Sequence, residues 1–202
     1  LIGWEPATKE YKVLMANNVA ISVPIDQVAD VQVEKPATLD QAIAKVQGGQ
    51  QAAAIGTLEQ IVRDYAMLEY DVAGTRWLAE ARLKMNEPAK AADVCEKLLR
   101  DNPNAFVSGE LASVYWDALL KTQQYSKLEK ALTVSVQKAP REVAAVAQLK
   151  RGDMEKQKGN NKEALVDGYL RTVYFFQAVK SVQPEALAKA ASKNNTLNHA
   201  HT

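Results

Sequence analysis

Two histidines, one cysteine and a scatter of carboxylates are the side chains of this 202-residue sequence that could do covalent or metal chemistry. His199 and His201 stand two apart near the C-terminal end, a spacing that holds a metal ion weakly and also arises by chance. No metal site and no cofactor are assigned to them. A Ser, Cys or metal enzyme would have to recruit its imidazole from that tail, which argues against an enzyme. Cys95 stands alone, so an intrachain disulfide, a dithiol pair and a zinc knuckle are all out of reach. Its place in an apolar pattern marks it as an inert buried thiol. Gly48-Gly49 lacks the rest of a phosphate-binding fingerprint and follows a helical pattern instead of a strand, so it marks a turn. Paired carboxylates stay open as catalytic groups, with no spacing that points to them. Trp77, Trp116 and the run Tyr174-Phe175-Phe176 are expected in the core; the other reading makes them docking anchors.

The balance of 25 Lys and Arg against 24 Asp and Glu leaves no global field to draw the chain onto nucleic acid. Residues 1–136 carry 14 basic and 18 acidic side chains and residues 137–202 carry 11 and 6, an unevenness that a solvated surface accounts for. No apolar run is long enough for a transmembrane segment, which takes about 18 residues. The sequence opens on Leu1 with no basic-then-apolar leader, which leaves an export signal upstream an open matter.

The elements that must position these groups change character near residue 36. From Tyr11 to Glu34 the pattern alternates and is rich in β-branched residues, predicting strands at Tyr11–Met15, Val19–Val23 and Asp30–Glu34. Asn17-Asn18 suits a hairpin turn, and Ile25 to Val28 a single helical turn. So small a sheet has to lean on the first helix or belong to a barrel. Pro36 ends the segment, and Thr38 is expected to cap the first helix.

Beyond it, four segments share one plan: a polar or Gly turn, a small or apolar anchor five positions later, and further positions four and seven beyond that. The turns open at Gly49, Asn86, Gln123 and Gly159, and the anchors are Ala54, Ala91, Leu128 and Ala164. The later positions are Leu58 and Ile61, Cys95 and Leu98, Leu132 and the polar Ser135, then Gly168 and Arg171. Pro103 and Pro140 stop helices at matching places. Thirty-odd residues fit two antiparallel helices with their turns, each pair having an apolar face that only stacking buries.

Leu78-Ala79, Ala91, Cys95, Leu98 and Pro103, with Leu111-Ala112 to Tyr115 and Arg151-Gly152 in the later units, resemble the tetratricopeptide repeat family. That resemblance implies a mainly α fold, a right-handed α–α superhelix of about four helical hairpins with a C-terminal capping helix, behind the small three-strand segment. The expected division is a β-rich segment over 1–36, a repeat domain over 37–191 and a flexible tail over 192–202. The units are about 38–71, 72–105, 108–141 and 142–178, with a cap over 184–191.

In that family the first helix of each pair lines an inner groove. The implied partner-binding residues are Arg76, Glu80 and Lys84, then Asp117 and Lys121, then Asp153 and Lys156. Glu80, Asp117 and Asp153 stand where the family's carboxylate-clamping Asn residues fall, so that clamp is not expected. The competing reading is a solvated face with pairs such as Glu80–Lys84 and Asp117–Lys121. The resemblance implies a protein-interaction scaffold or adaptor, in bacterial envelope assembly, with the periplasm or envelope favoured over the cytoplasm. Two alternatives stand beside it: the docking or regulatory region of a longer enzyme, and a self-associating structural protein.

Overall fold

A computed structural model describes residues 3–103, 105 and 109–199, with side chains as far as residue 192. The chain divides into two compact units, Leu1–Ala105 and Phe106–Thr202.

The first unit opens with three antiparallel strands in the order β1 (Gly3–Glu5), β2 (Glu10–Leu14) and β3 (Ala20–Pro24). The hairpin between β2 and β3 is the expected one, with Tyr11 opposite Val23 and Val13 opposite Ile21. Its turn puts Asn18 at φ 60°, and the Asn17 side chain accepts the Val19 amide at 3.2 Å. The third strand is a correction. Residues 30–34 join no ladder, because the Asp30 carboxylate captures the Val31 amide at 2.9 Å and the Gln32 side chain at 3.0 Å. Its place is taken by β1, where Trp4 lies opposite Tyr11 and the two rings pack at 4.9 Å. Tyr11 is buried and its hydroxyl donates to the Met67 carbonyl at 2.9 Å, so the sheet leans on the turn before the third helix.

Two helical pairs follow, α1 (Ala37–Gln47) with α2 (Gln51–Asp64) and α3 (Tyr70–Lys84) with α4 (Pro88–Asp101). Pro36 caps α1 and Thr38 lies inside the helix, contrary to the expected Thr cap, because proline fixes the entry φ and leaves Ala37 to start the helix. Leu39, Val46, Ala54, Leu58, Ile61 and Leu78 form the core of this unit. A large side chain so buried contributes about 1.5–3 kcal/mol.

In the second unit α5 (Gly109–Lys121) pairs with α6 (Tyr125–Lys138), and α7 (Arg141–Gln157) pairs with a composite helix. That helix runs through α8 (Asn161–Glu163), a π-helical stretch (Ala164–Leu170) and α9 (Arg171–Phe175). The last helix, α10 (Gln183–His199), continues past the predicted end at Ala191, so most of the predicted tail is helical backbone. Its remainder, with His201, lies outside the described residues.

All four hairpins turn in the same way. Gly49, Asn86, Gln123 and Gly159 have positive φ of 84°, 59°, 56° and 87°. The amide after each reaches back five residues: Gln50 to Lys45, Glu87 to Arg82, Gln124 to Leu119 and Asn160 to Glu155, at 2.8–2.9 Å. This left-handed cap absorbs the last carbonyls of one helix and aims the next back along it. The anchors five residues on, Ala54, Ala91, Leu128 and Ala164, are all fully buried. The positions four and seven beyond are buried in the first three pairs, Ser135 included. In the fourth, Gly168 is buried and Thr172 is buried where the pattern puts Arg171, which is exposed. The wider turn of the π-helical stretch makes the helix lag by one residue.

Candidate partner-binding faces

The candidate charges of the first unit all lie on α3, and spacing of four residues brings them into one ladder. Arg76 Nη2 is 3.5 Å from Glu80 Oε2, and Lys84 Nζ is 3.3 Å from Glu80 Oε1. Lys84 also donates to the Val46 carbonyl at the end of α1, at 3.4 Å. The Arg76 guanidinium sits 3.7 Å over the Trp77 ring, close enough for cation–π attraction. Trp77 itself is partly buried against the core. The ladder is thus a partly buried row of charge on an aromatic base, most open at Lys84.

In the second unit Asp117 lies within 2.6 Å of Lys150 Nζ on α7, and the expected Asp117–Lys121 pair does not form. Lys150 stands 3.8 Å from Asp153, whose carboxylate takes Lys189 of α10 on both oxygens at 2.7 and 2.8 Å. Tyr169 of the π-helical stretch donates to the same carboxylate at 3.1 Å. Burial acts to lower the Lys189 pKa, but its bonds to Asp153 and Glu185 prevail and raise it above the ordinary lysine value. The Tyr169 phenol is pushed up by burial and by the Asp153 charge. Asp153 therefore faces inward, pinning α10 to α7, where the resemblance implied a groove residue. Lys121 and Lys156 are exposed and form no ion pair among the described residues.

The aromatics divide. Trp116 is fully buried, as expected. Tyr174 and Phe175 are each 65% exposed, which overturns the core reading for both, and Phe176 alone packs inward beside Val179 and Val182. The one-residue lag that brings Thr172 inward turns this pair out. Cys95 is completely buried and its thiol is pushed up to about 12, chiefly by burial, which leaves no thiolate at neutral pH. Pattern reading missed Arg82, which ties Glu59 of α2 and Glu87 of the following turn at 2.7 Å each. Nothing in its local spacing marks that role. Among the described residues there is no cluster of three or more His, Cys, Asp or Glu placed to hold a metal. No described helix is long and apolar enough to cross a membrane.

A family model of the tetratricopeptide repeat matches residues 77–105, which takes in most of α3 and all of α4. The fold is similar to that of MamA (AMB-1), with a TM-score of 0.51 at 18% identity over 79% of this chain and 86% of that one. No curated protein matches the chain.

Proposed function

We propose that this chain, a tetratricopeptide-repeat-like protein by its matched repeat and its fold, is an interaction scaffold that holds a protein partner on the first-helix faces of its repeats. The Arg76–Glu80–Lys84 ladder over Trp77 carries the reading. Its Arg76–Glu80 pair is partly buried and its Lys84 end is exposed, so the Glu80–Lys84 pair costs little to exchange for a partner's charges, a surface pair being worth about 0–1 kcal/mol. Arg and aromatic groups together have the make-up of a binding hot spot. Lys121 and Lys156 offer further exposed cations in the second unit, whereas Asp153 is held internally. The β-rich segment ahead of the repeats resembles that of some bacterial envelope-associated repeat proteins, which supports a partner in envelope assembly.

The test begins with cross-linking in the native host to obtain the partner, followed by affinities for purified wild type, Glu80→Lys and Lys121→Glu. Glu80→Lys is expected to weaken binding at least about tenfold, the scale of losing a charge contact at an interface. Unchanged affinity in both variants would sink the groove reading. Fractionation of the host with the tagged partner tests the envelope role, and a partner confined to the cytoplasm would refute it. Self-association is favoured as a second reading by the exposure of Tyr174 and Phe175. Light scattering that finds only monomer across a wide concentration range removes it.

A further inference from the structure

A second binding surface lies within the first unit, away from the α3 ladder. A cavity of about 550 Å³ opens between the N-terminal strand and the outer helices α2 and α4. That volume falls inside the roughly 300–1,000 Å³ of ordinary ligand pockets. Trp4, Val62, Val94 and Leu98 give it apolar walls, and Asp71 lines it.

Asp71 is only 2% exposed. Its two oxygens accept the Met67 and Val72 amides at 2.8 Å each, which holds the turn before α3. Those bonds leave lone pairs on both oxygens and leave the charge itself uncompensated. Among the described residues no cation forms an ion pair with it. The basic groups at the rim are turned elsewhere: Arg63 is 72% exposed and pairs with Asp64, and Lys97 is exposed. Burial raises the Asp71 pKa against the pull of its backbone amides, with no cation among the causes. A buried carboxylate without a counter-charge is costly, and a cation brought into its cavity offsets that cost. Trp4 adds two features to the same wall. Its indole ring lines the cavity, and its Nε1 is buried with no hydrogen-bond partner among the described residues.

We propose that this cavity is a docking site for a basic side chain, Arg or Lys, presented by a partner protein. The aliphatic stem lies along Val62, Val94 and Leu98, the cationic head meets Asp71, and a carbonyl of the same peptide accepts from Trp4 Nε1. The orphaned donor of a residue that lines the same cavity favours a peptide over a free amine, because only the peptide brings an acceptor with its cation.

The test uses the full chain and the blocked peptide acetyl-Ala-Arg-Ala-amide, read on the Trp4 indole N–H resonance, which Trp4→Phe assigns. The arginine peptide is expected to shift that resonance saturably, and the isosteric citrulline peptide to bind at least about tenfold more weakly. Asp71→Asn, with the rest of its spectrum unchanged, lowers the affinity to the same extent. Exposed Lys97 repels the incoming cation, so Lys97→Glu raises affinity about threefold. This second variant decides the matter if Asp71→Asn fails to fold. Equal binding of the two peptides, no shift with either, or indifference to Lys97→Glu overturns the site. Methylguanidinium binding as tightly as the peptide overturns the assignment to a protein side chain. None of these outcomes depends on the α3 ladder, so the two surfaces stand or fall separately.

Discussion

In α3 of the first unit, Arg76, Glu80 and Lys84 pair along a single helix. In α7 of the second, Lys150 and Asp153 reach outward to α5, to α10 and to the π-helical stretch. Both sets sit on the first helix of a pair, and their fates are opposite. A ladder within one helix keeps one pair when Arg76 or Lys84 is lost, depends on Glu80 for both, and remains available to a partner. A network between elements is part of how the unit holds together. Position within a repeat therefore places a charged residue without saying what it does; the deciding factor is whether an opposite charge arrives from a distant segment. For Asp153 it does, since Lys189 comes from 36 residues further on.

The contrast is sharpest at the glycines of the two helices. A Cβ on Gly168 would lie 2.2 Å from the Gly152 Cα, and one on Gly152 would lie 2.5 Å from the Tyr169 ring. Gly168→Ala is expected to cost about 3 kcal/mol or more by overpacking, read in denaturant unfolding. On α3 the added Cβ of Gly74→Ala meets the Ile61 and Val62 methyls at 3.1 Å. Helix propensity of about 1 kcal/mol offsets that contact, so the net change stays within about 1 kcal/mol. Similar losses at both sites would erase the distinction.

Next in size are the charges. Asp153→Ala leaves Lys189 with Glu185 alone, strands the Tyr169 hydroxyl and costs about 1–3 kcal/mol, whereas Glu80→Ala costs under about 1 kcal/mol. Double-mutant cycles should return a coupling above about 1 kcal/mol for Asp153–Lys189 and below about 0.5 kcal/mol for Glu80–Lys84. Equal couplings would make the inward pin no different from the surface ladder.

Acid titration sets Asp71 apart from both. Its folded pKa is raised above the ordinary 3.8, so the folded state holds this proton more tightly than the unfolded chain. The stability it contributes is whole below 3.8 and is lost as pH climbs through the raised value. Asp71→Asn should remove that decline from the difference between variant and wild-type stability curves measured from pH 3 to 7. The smallest effect belongs to the outward pair: Tyr174→Ser with Phe175→Ser should change stability by less than about 0.5 kcal/mol. Cys95, by contrast, should resist iodoacetamide at pH 8 until the chain unfolds; ready labelling of the native protein would contradict its burial.

What could be read from residues alone was whatever local constraints enforce. A left-handed turn followed five residues later by a small anchor is a local pattern, and it located all four hairpins at Ala54, Ala91, Leu128 and Ala164. The β2–β3 hairpin was equally legible, through Asn17-Asn18 and the alternation around it. Features that depend on distant partners stayed hidden. Strand β1 is three residues long and relies on Trp4 meeting Tyr11. The inward turn of Asp153 depends on α10, and the replacement of Arg171 by Thr172 depends on a wide helical turn. Of the candidate site, the Glu80–Lys84 pair was legible from spacing and the choice of the α3 face came from the family resemblance; the Asp71 cavity had no sequence signal, because its walls come from four separate elements.

The π-helical stretch acts as a gear change in an otherwise regular winding. It leaves the residues before it in step with the other repeats and delivers those after it late by one. Deleting the exposed Val166 removes the residue that the wide turn absorbs, so ordinary winding should return with Thr172 still inward and Tyr174 and Phe175 still facing water. The variant should then bind as much of an environment-sensitive hydrophobic dye as the wild type, and a clear fall would contradict the one-residue lag. On that view, a winding wide enough to take up one surplus residue is the reason this molecule displays two greasy rings to water at all.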